Sequence, residues 1–134
     1  MEADVKKLVV FCCENSAYKA ADAVQDSAIL DQVDIVRLPC SGKIEIGLVL
    51  KCFEHDHPGV LILGCPVDNC TYLTGNLRAR KRLEMIKQAL RHAGYEENRV
   101  RMDFLSSVDT HKFIRIIHEM REQITQHEGV RIKD

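Results

Sequence analysis

Long apolar runs are missing from this sequence. No stretch approaches the roughly 18 to 20 consecutive apolar residues that a membrane-spanning helix requires. The apolar run within MEADVKKLVVFCCENS at the start of the chain gives way to polar residues too soon for a signal peptide. A cytoplasmic protein without a membrane span is expected. An excess of one charge sign is missing too: 19 basic against 20 acidic residues leave a net charge of -1, which provides no general field for nucleic acid. Proline and glycine are few, at 3 and 7 residues, and no segment is of low complexity, so nothing points to disorder or collagen-like repetition. The chain that remains is 46% hydrophobic and 29% charged, with 134 residues that read as one domain, 1–134, able to bury a core without disulfide staples.

Against this ordinary background stand six cysteines. In a reducing compartment they are poor candidates for structural disulfides, so their placement is better read as metal-binding or catalytic chemistry. Placement follows from the fold. Compact apolar runs at 7–13 (KLVVFCC), 33–40 (VDIVRLPC), 59–65 (GVLILGC) and 99–107 (RVRMDFLSS) alternate with segments of helical period, the pattern of successive βα units. Ala79, Leu83, Ile86, Leu90 and Ala93 step by four and three along one helix face, with Gly94 in place to end it. Phe113, Ile116, Ile117, Met120 and Ile124 mark the last helix, capped by Ser106, Ser107 or Asp109. Ile46, Val49, Leu50 and Phe53 mark a shorter one, and Ala17, Ala20, Ala21, Val24 and Ala28 give the first a small-residue face. The segment QHEGVRIKD reads as a loose tail. Right-handed crossovers then predict a three-layer α/β/α sandwich over a four-stranded parallel sheet in the flavodoxin-like order 2-1-3-4.

In that arrangement Cys12 and Cys13 end the first strand, Cys40 the second and Cys65 the third, with Cys70 in the loop that follows. All five fall at the carboxyl edge of the sheet, where open parallel sheets bind ligands. Cys52 is mid-helix beside Phe53 and reads as packing. Converging thiols suit zinc or an iron-sulfur cluster, although Cys65 and Cys70 enclose four residues and the paired spacing of zinc sites is absent. The C-x4-C element occurs in plant-type [2Fe-2S] centres, but its following C-x2-C step is missing. Spacing alone therefore does not name the metal. Nucleophilic chemistry on a C-x5-R loop is excluded, because the sixth residue after Cys65, Cys40 and Cys13 is Thr71, Ile46 and Lys19. A thioredoxin-like C-x-x-C is also absent. Gly42, Gly64 and Gly75 are suited to tight turns at the same edge.

These residues carry a family resemblance. The segments VVFCCENSAYKAAD, RLPCSGKIE, VLILGCPVDNCTYLTGNLRARKRLEMIKQAL and NRVRMDFLSS, covering nearly the whole chain, resemble the delta subunit of methyl-viologen-reducing hydrogenase, also called the hydrogenase iron-sulfur subunit. The resemblance implies a small electron-transfer subunit with a [2Fe-2S] cluster. Such a subunit relays electrons between a hydrogenase or dehydrogenase and a heterodisulfide-reductase-like flavoprotein, without turning over a substrate itself. Carried over residue by residue, it assigns Cys13, Cys40, Cys65 and Cys70 as the four thiolate ligands. The sequence departs from the family pattern in two places. The family's C-x-x-C in the first loop has Ser16 at its second position, with an extra thiol at Cys12, which leaves Cys12 or a serine oxygen as alternative ligands. The family's histidines beside the third and fourth ligands are replaced by Pro66 and Thr71.

Other features have more than one reading. Arg78, Arg80, Lys81 and Arg82 are either a solvated face or an electrostatic docking patch for an acidic partner. His55, Asp56 and His57 read as a solvent-facing turn at the opposite edge. Tyr18 and Tyr72 either pack or shield a cofactor. The electron-transfer reading has three competitors: a cluster-free docking adaptor, a zinc-stabilised module and a thiol redox enzyme.

Overall fold

The computed structural model of the chain describes residues 7–14, 16–39, 44–64 and 75–128. Four strands, β1 (Leu8–Cys13), β2 (Val33–Leu38), β3 (Val60–Gly64) and β4 (Val100–Phe104), alternate with four helices, α1 (Ala17–Ala23), α2 (Ile46–Glu54), α3 (Gly75–His92) and α4 (Thr110–Glu128). The strands form one parallel sheet in the order β2-β1-β3-β4, as the sequence predicts. The central pair is covered on both faces and every residue of β1 and β3 is buried, which is why these two strands read as unbroken apolar runs. The edge strands β2 and β4 admit Asp34, Arg37, Arg101 and Asp103.

Alternation along the strands divides the core in two. Leu8, Val10, Leu61 and Leu63 face α1 and α4, packing with Ala17, Ala20, Phe113 and Ile117. Val9, Phe11, Val60 and Ile62 face α2 and α3, packing with Val49, Phe53, Ile86 and Leu90. The register agrees, with Val10 opposite Leu61 and Val9 opposite Val60. The two cores and the sheet between them make the three layers.

Local chemistry sets the element ends. Gly94 takes φ +91° just past α3. The Tyr95 N–H donates to the Leu90 carbonyl and the Gly94 N–H to that of Arg91, the pairing of a left-handed helix stop. Before α4, the Asp109 carboxylate accepts the Ser106 N–H at 2.8 Å and the Ser106 hydroxyl accepts the Val108 N–H at 3.3 Å, local side-chain bonds that brace the turn leading into the helix. On the far side of β4, Arg101 reaches both Asp103 and Glu119, and Lys112 reaches Asp103 and the Phe104 carbonyl.

Four element ends differ from the sequence reading. The first helix stops at Ala23 and does not extend to Ala28, because bonds from Val24, Gln25 and Ser27 step back three residues each and a separate 3-10 turn covers Ala28–Gln32. β2 ends at Leu38 and β4 at Phe104; β4 gives way to the turn built on Ser106 and Asp109. Of the tail expected from Gln126, the residues to Glu128 belong to α4, and 129–134 lie outside the described residues.

Candidate metal centre

β1 carries two adjacent thiols to the carboxyl edge, and the pleat sends them to opposite faces. Cys12 follows Leu8 and Val10 into the core under α1 and α4, with no exposed surface. Burial, with a smaller contribution from Cys13, pushes its thiol up to about 12, so it stays protonated at neutral pH. Cys13 follows Phe11 toward the α2/α3 face, opposite Leu38 of β2, and is also fully buried. Its Sγ lies 4.0 Å from the carbonyl oxygen of Pro39. That carbonyl belongs to the peptide bond joining Pro39 to Cys40, so the thiol at 13 stands beside the point where the chain enters residue 40.

β3 ends next to this place. Cys12 pairs with Leu63, which puts Gly64 level with Cys13, and Cys65 is the next residue in sequence. Cys40, Cys65 and Cys70 themselves, with Tyr72, Gly42, Pro66 and Thr71, lie outside the described residues. No group of three or more His, Cys, Asp and Glu side chains suited to a metal ion occurs among the described residues.

Ser16 lies one turn beyond Cys13. Its N–H donates to the Cys13 carbonyl at 3.2 Å and its carbonyl accepts the Ala20 N–H at 3.1 Å, which locks it between β1 and α1. It is 3% exposed, the only buried polar side chain among the described residues, and its Oγ has no hydrogen-bond partner. Around the rim, Arg37 lies 5.3 Å from the centre of the Tyr18 ring and 3.9 Å from Glu14, while Tyr18 itself packs against the α1/α4 core.

The basic start of α3 is engaged more closely than its sequence suggests. Arg82 donates to the Ile44 carbonyl at 2.9 Å, and Ile44 is fully buried. It thereby ties the helix after the 65–74 segment to the residue that closes the 40–43 segment. Arg80 is exposed and its guanidinium stacks 5.0 Å from the Phe104 ring centre. Lys81 is exposed. No sequence pattern marks the Arg82 tie, because its acceptor is a backbone carbonyl far away in the chain.

The remaining candidates fall elsewhere. Cys52 is half-buried on α2 against the α2/α3 core, and burial raises its thiol pKa. His57 Nδ1 lies 2.8 Å from the Lys7 carbonyl just before β1, so His55, Asp56 and His57 occupy the turn at the amino edge, with Asp56 at φ +69°.

Known proteins match this sequence. The model of the family described as methyl-viologen-reducing hydrogenase, delta subunit, matches residues 8–127. The chain is 35% identical over 119 residues to the iron-sulfur subunit of the vhu F420-non-reducing hydrogenase of Methanocaldococcus jannaschii, covering 87% of this chain and 89% of that one. The corresponding protein of Methanopyrus kandleri is 33% identical over 118 residues, with the same coverage. A third relative is much longer. It is a component of the ferredoxin/F420H2-dependent CoB-CoM heterodisulfide reductase of Methanosarcina acetivorans, 28% identical over 121 residues, which make up 89% of this chain but 15% of that protein. With the match running from the first residue of β1 almost to the end of α4, the chain belongs to the methyl-viologen-reducing hydrogenase delta subunit family.

Proposed function

We propose that this chain is a cytoplasmic electron-transfer subunit whose Cys13, Cys40, Cys65 and Cys70 hold a [2Fe-2S] cluster. It would relay electrons between a hydrogenase or dehydrogenase and a heterodisulfide-reductase-like flavoprotein. The observation that carries the reading is the Cys13 thiol beside the Pro39 carbonyl, at the edge where β2 and β3 deliver the chain to Cys40 and Cys65. The donor chemistry fits: soft thiolates suit iron-sulfur centres, and a buried hydroxyl without a partner stands one turn from the first of them. The opposite faces taken by Cys12 and Cys13 favour Cys13 as the first ligand, since Cys12 is packed among aliphatic side chains. The names of the relatives support the cofactor class and the partners, being hydrogenase iron-sulfur subunits and, in one case, a component of a heterodisulfide reductase.

When bound, the cluster supplies one-electron chemistry. The chain's own contribution is to keep water away from it and to present it to a partner. Leu38, Phe11 and Ile44 wall the Cys13 side with apolar surface. Exposed Arg80 and Lys81 on α3 add local positive charge that accelerates encounter with an acidic partner more than it strengthens the complex. No helix among the described residues is long and apolar enough to cross a membrane, and the reading needs none.

The test is chemical analysis of protein purified anaerobically. About two irons and two acid-labile sulfides per chain are expected, with a paramagnetic signal on one-electron reduction. Protein that contains neither, and gains no visible absorption on reconstitution, rules the reading out.

A further inference from the structure

β2 borders the sheet, with β1 as its neighbour among the described strands. The Glu14 N–H donates to the Leu38 carbonyl at 2.7 Å, which fixes the parity of the parallel ladder. Asp34, Val36 and Leu38 turn their backbone groups toward β1, and Val33, Ile35 and Arg37 turn theirs outward. No backbone bond among the described residues takes up the outward groups of Ile35 and Arg37. Side chains along this border are incompletely covered as well. Val36 is 37% exposed, and Ile35 is only half-buried against the α1/α4 core. Charge is split between the two ends, with exposed Asp31 in the 3-10 turn before the strand and exposed Arg37 near its close. The other outer strand, β4, has its charges tied to α4 instead.

We infer that a second copy of this chain docks on the β2 border, the two β2 strands pairing antiparallel about a two-fold axis and joining their sheets into one. Such an axis stands perpendicular to the sheet, so residues of like parity oppose each other. The outward backbone groups select the register: Ile35 lies opposite Ile35, and Val33 opposite Arg37. That ladder falls wholly within β2. Sliding it by two residues brings in Pro39, which has no N–H and lies past the strand end, or in the other direction Asp31 of the 3-10 turn. Charge agrees with the register. Arg37, whose side chain is 61% exposed beside Glu14, comes diagonal to Asp31 of the other copy, a span that a long side chain bridges. Symmetry makes this contact twice. The same strand supplies the acid at one end and the base at the other, which is what favours a copy of itself over an unrelated strand. On the opposite face Val36 meets Asp34 of the other copy, and its exposed surface is covered. So short a ladder makes a small interface, and the dimer is expected only at elevated concentration. The pairing is independent of the metal centre.

The experiment combines sedimentation equilibrium of the whole chain, up to millimolar concentration, with residue-resolved amide hydrogen exchange. Monomers and dimers in equilibrium are expected. The Ile35 and Arg37 amides should exchange several-fold more slowly at high concentration than at low, whereas those of Val36 and Leu38, bonded to β1, are protected at both. Arg37→Glu sets a carboxylate beside Asp31, and Val36→Glu sets one opposite Asp34, each at two symmetric places. Either substitution should raise the dissociation constant of the dimer about tenfold. Asp31→Arg combined with Arg37→Glu restores the opposite charges and should return association toward that of the parent, a rescue that a merely damaged fold would not show. A chain that stays monomeric at every concentration overturns the inference. So does a dimer that is indifferent to both glutamate substitutions and leaves the Ile35 and Arg37 amides unchanged, because it uses another surface. Amides at Ile35 and Arg37 that are already slow at the lowest concentration overturn it as well, since the border is then occupied within the chain.

Discussion

Cys12 and Cys13 are adjacent thiols with the same burial, and replacing Cys12 with alanine separates packing from ligation. The substitution removes one sulfur from the fully enclosed core under α1 and α4. The lost transfer energy of a group somewhat larger than a methylene, plus the small cavity left behind, amounts to about 1–2 kcal/mol at neutral pH. In a chain of this length that is a fall of roughly 3–6 °C in melting temperature. The thiol's acidity adds a second signature. Its pKa is pushed up from an ordinary 9.0 to about 12 by burial and, less strongly, by Cys13. Above 9.0 the unfolded chain releases this proton while the folded chain still holds it, so folding stability falls as pH rises, by about 1.4 kcal/mol per pH unit. The decline continues until the folded thiol ionises near 12. Cys12→Ala lacks that slope. Its urea midpoint therefore starts below the parent's at pH 7, and the two converge near pH ~10, where about 1.4 kcal/mol of the parent's advantage has gone. Unfolding curves of both proteins from pH 7 to 10.5, with iron content measured alongside, test this. If Cys12→Ala loses its iron while keeping the parent's neutral-pH stability, Cys12 is a ligand and the packing account is wrong.

Single serine substitutions at Cys13, Cys40, Cys65 and Cys70 should each reduce bound iron several-fold in colorimetric assay, whereas Cys52→Ser should leave it unchanged. Arg82→Ala removes a charge-assisted bond to the Ile44 carbonyl; it should cost about 1–2 kcal/mol in denaturant unfolding and hasten iron release to a chelator. Gly59→Ala places a Cβ 2.5 Å from Ile124 Cδ1 and 3.1 Å from the Arg99 carbonyl, an overpacking of about 1–3 kcal/mol that calorimetry should register. Asp109→Ala should lower the melting temperature at pH 7, by a margin that narrows as pH is taken below 3.8. The Ser106 N–H holds the Asp109 carboxyl below its ordinary 3.8, so the stability it contributes is fully present above 3.8 and is lost progressively below it, as pH falls through the lowered folded value.

The sheet was legible because its signals are local. Val9 to Phe11 and Val60 to Leu63 are apolar at every position, which only a strand covered on both faces requires, and the helix faces between them fix right-handed crossovers and hence the order 2-1-3-4. Gly94 announced its turn because few other residues tolerate φ +91°. The extent of α1 was not legible. Ala28 continues the alanine spacing, yet Asp26 and Ser27 favour turns, and the tertiary path to β2 decides between these tendencies. At the candidate site, topology alone brings Cys13 next to the residue before Cys40. Side-chain parity then separates Cys12 from Cys13, since one face of β1 belongs to α1 and α4 and the other to α2 and α3. The isolation of the Ser16 hydroxyl and the reach of Arg82 to a distant carbonyl depend on three-dimensional packing, which leaves no periodic trace in the sequence.

The charges on β4 bear on how the molecule behaves in company. A four-stranded open sheet has two outer strands whose backbone groups are templates for further strands, and such borders invite chains to polymerise side by side. Arg101 and Asp103 lie half-buried within β4, tied to Glu119 and Lys112 of α4. A foreign strand laid along that border would have to strip solvent from, or break, these ion pairs. The charged group thus serves as a guard against uncontrolled growth of the sheet, leaving association to surfaces suited to chosen partners.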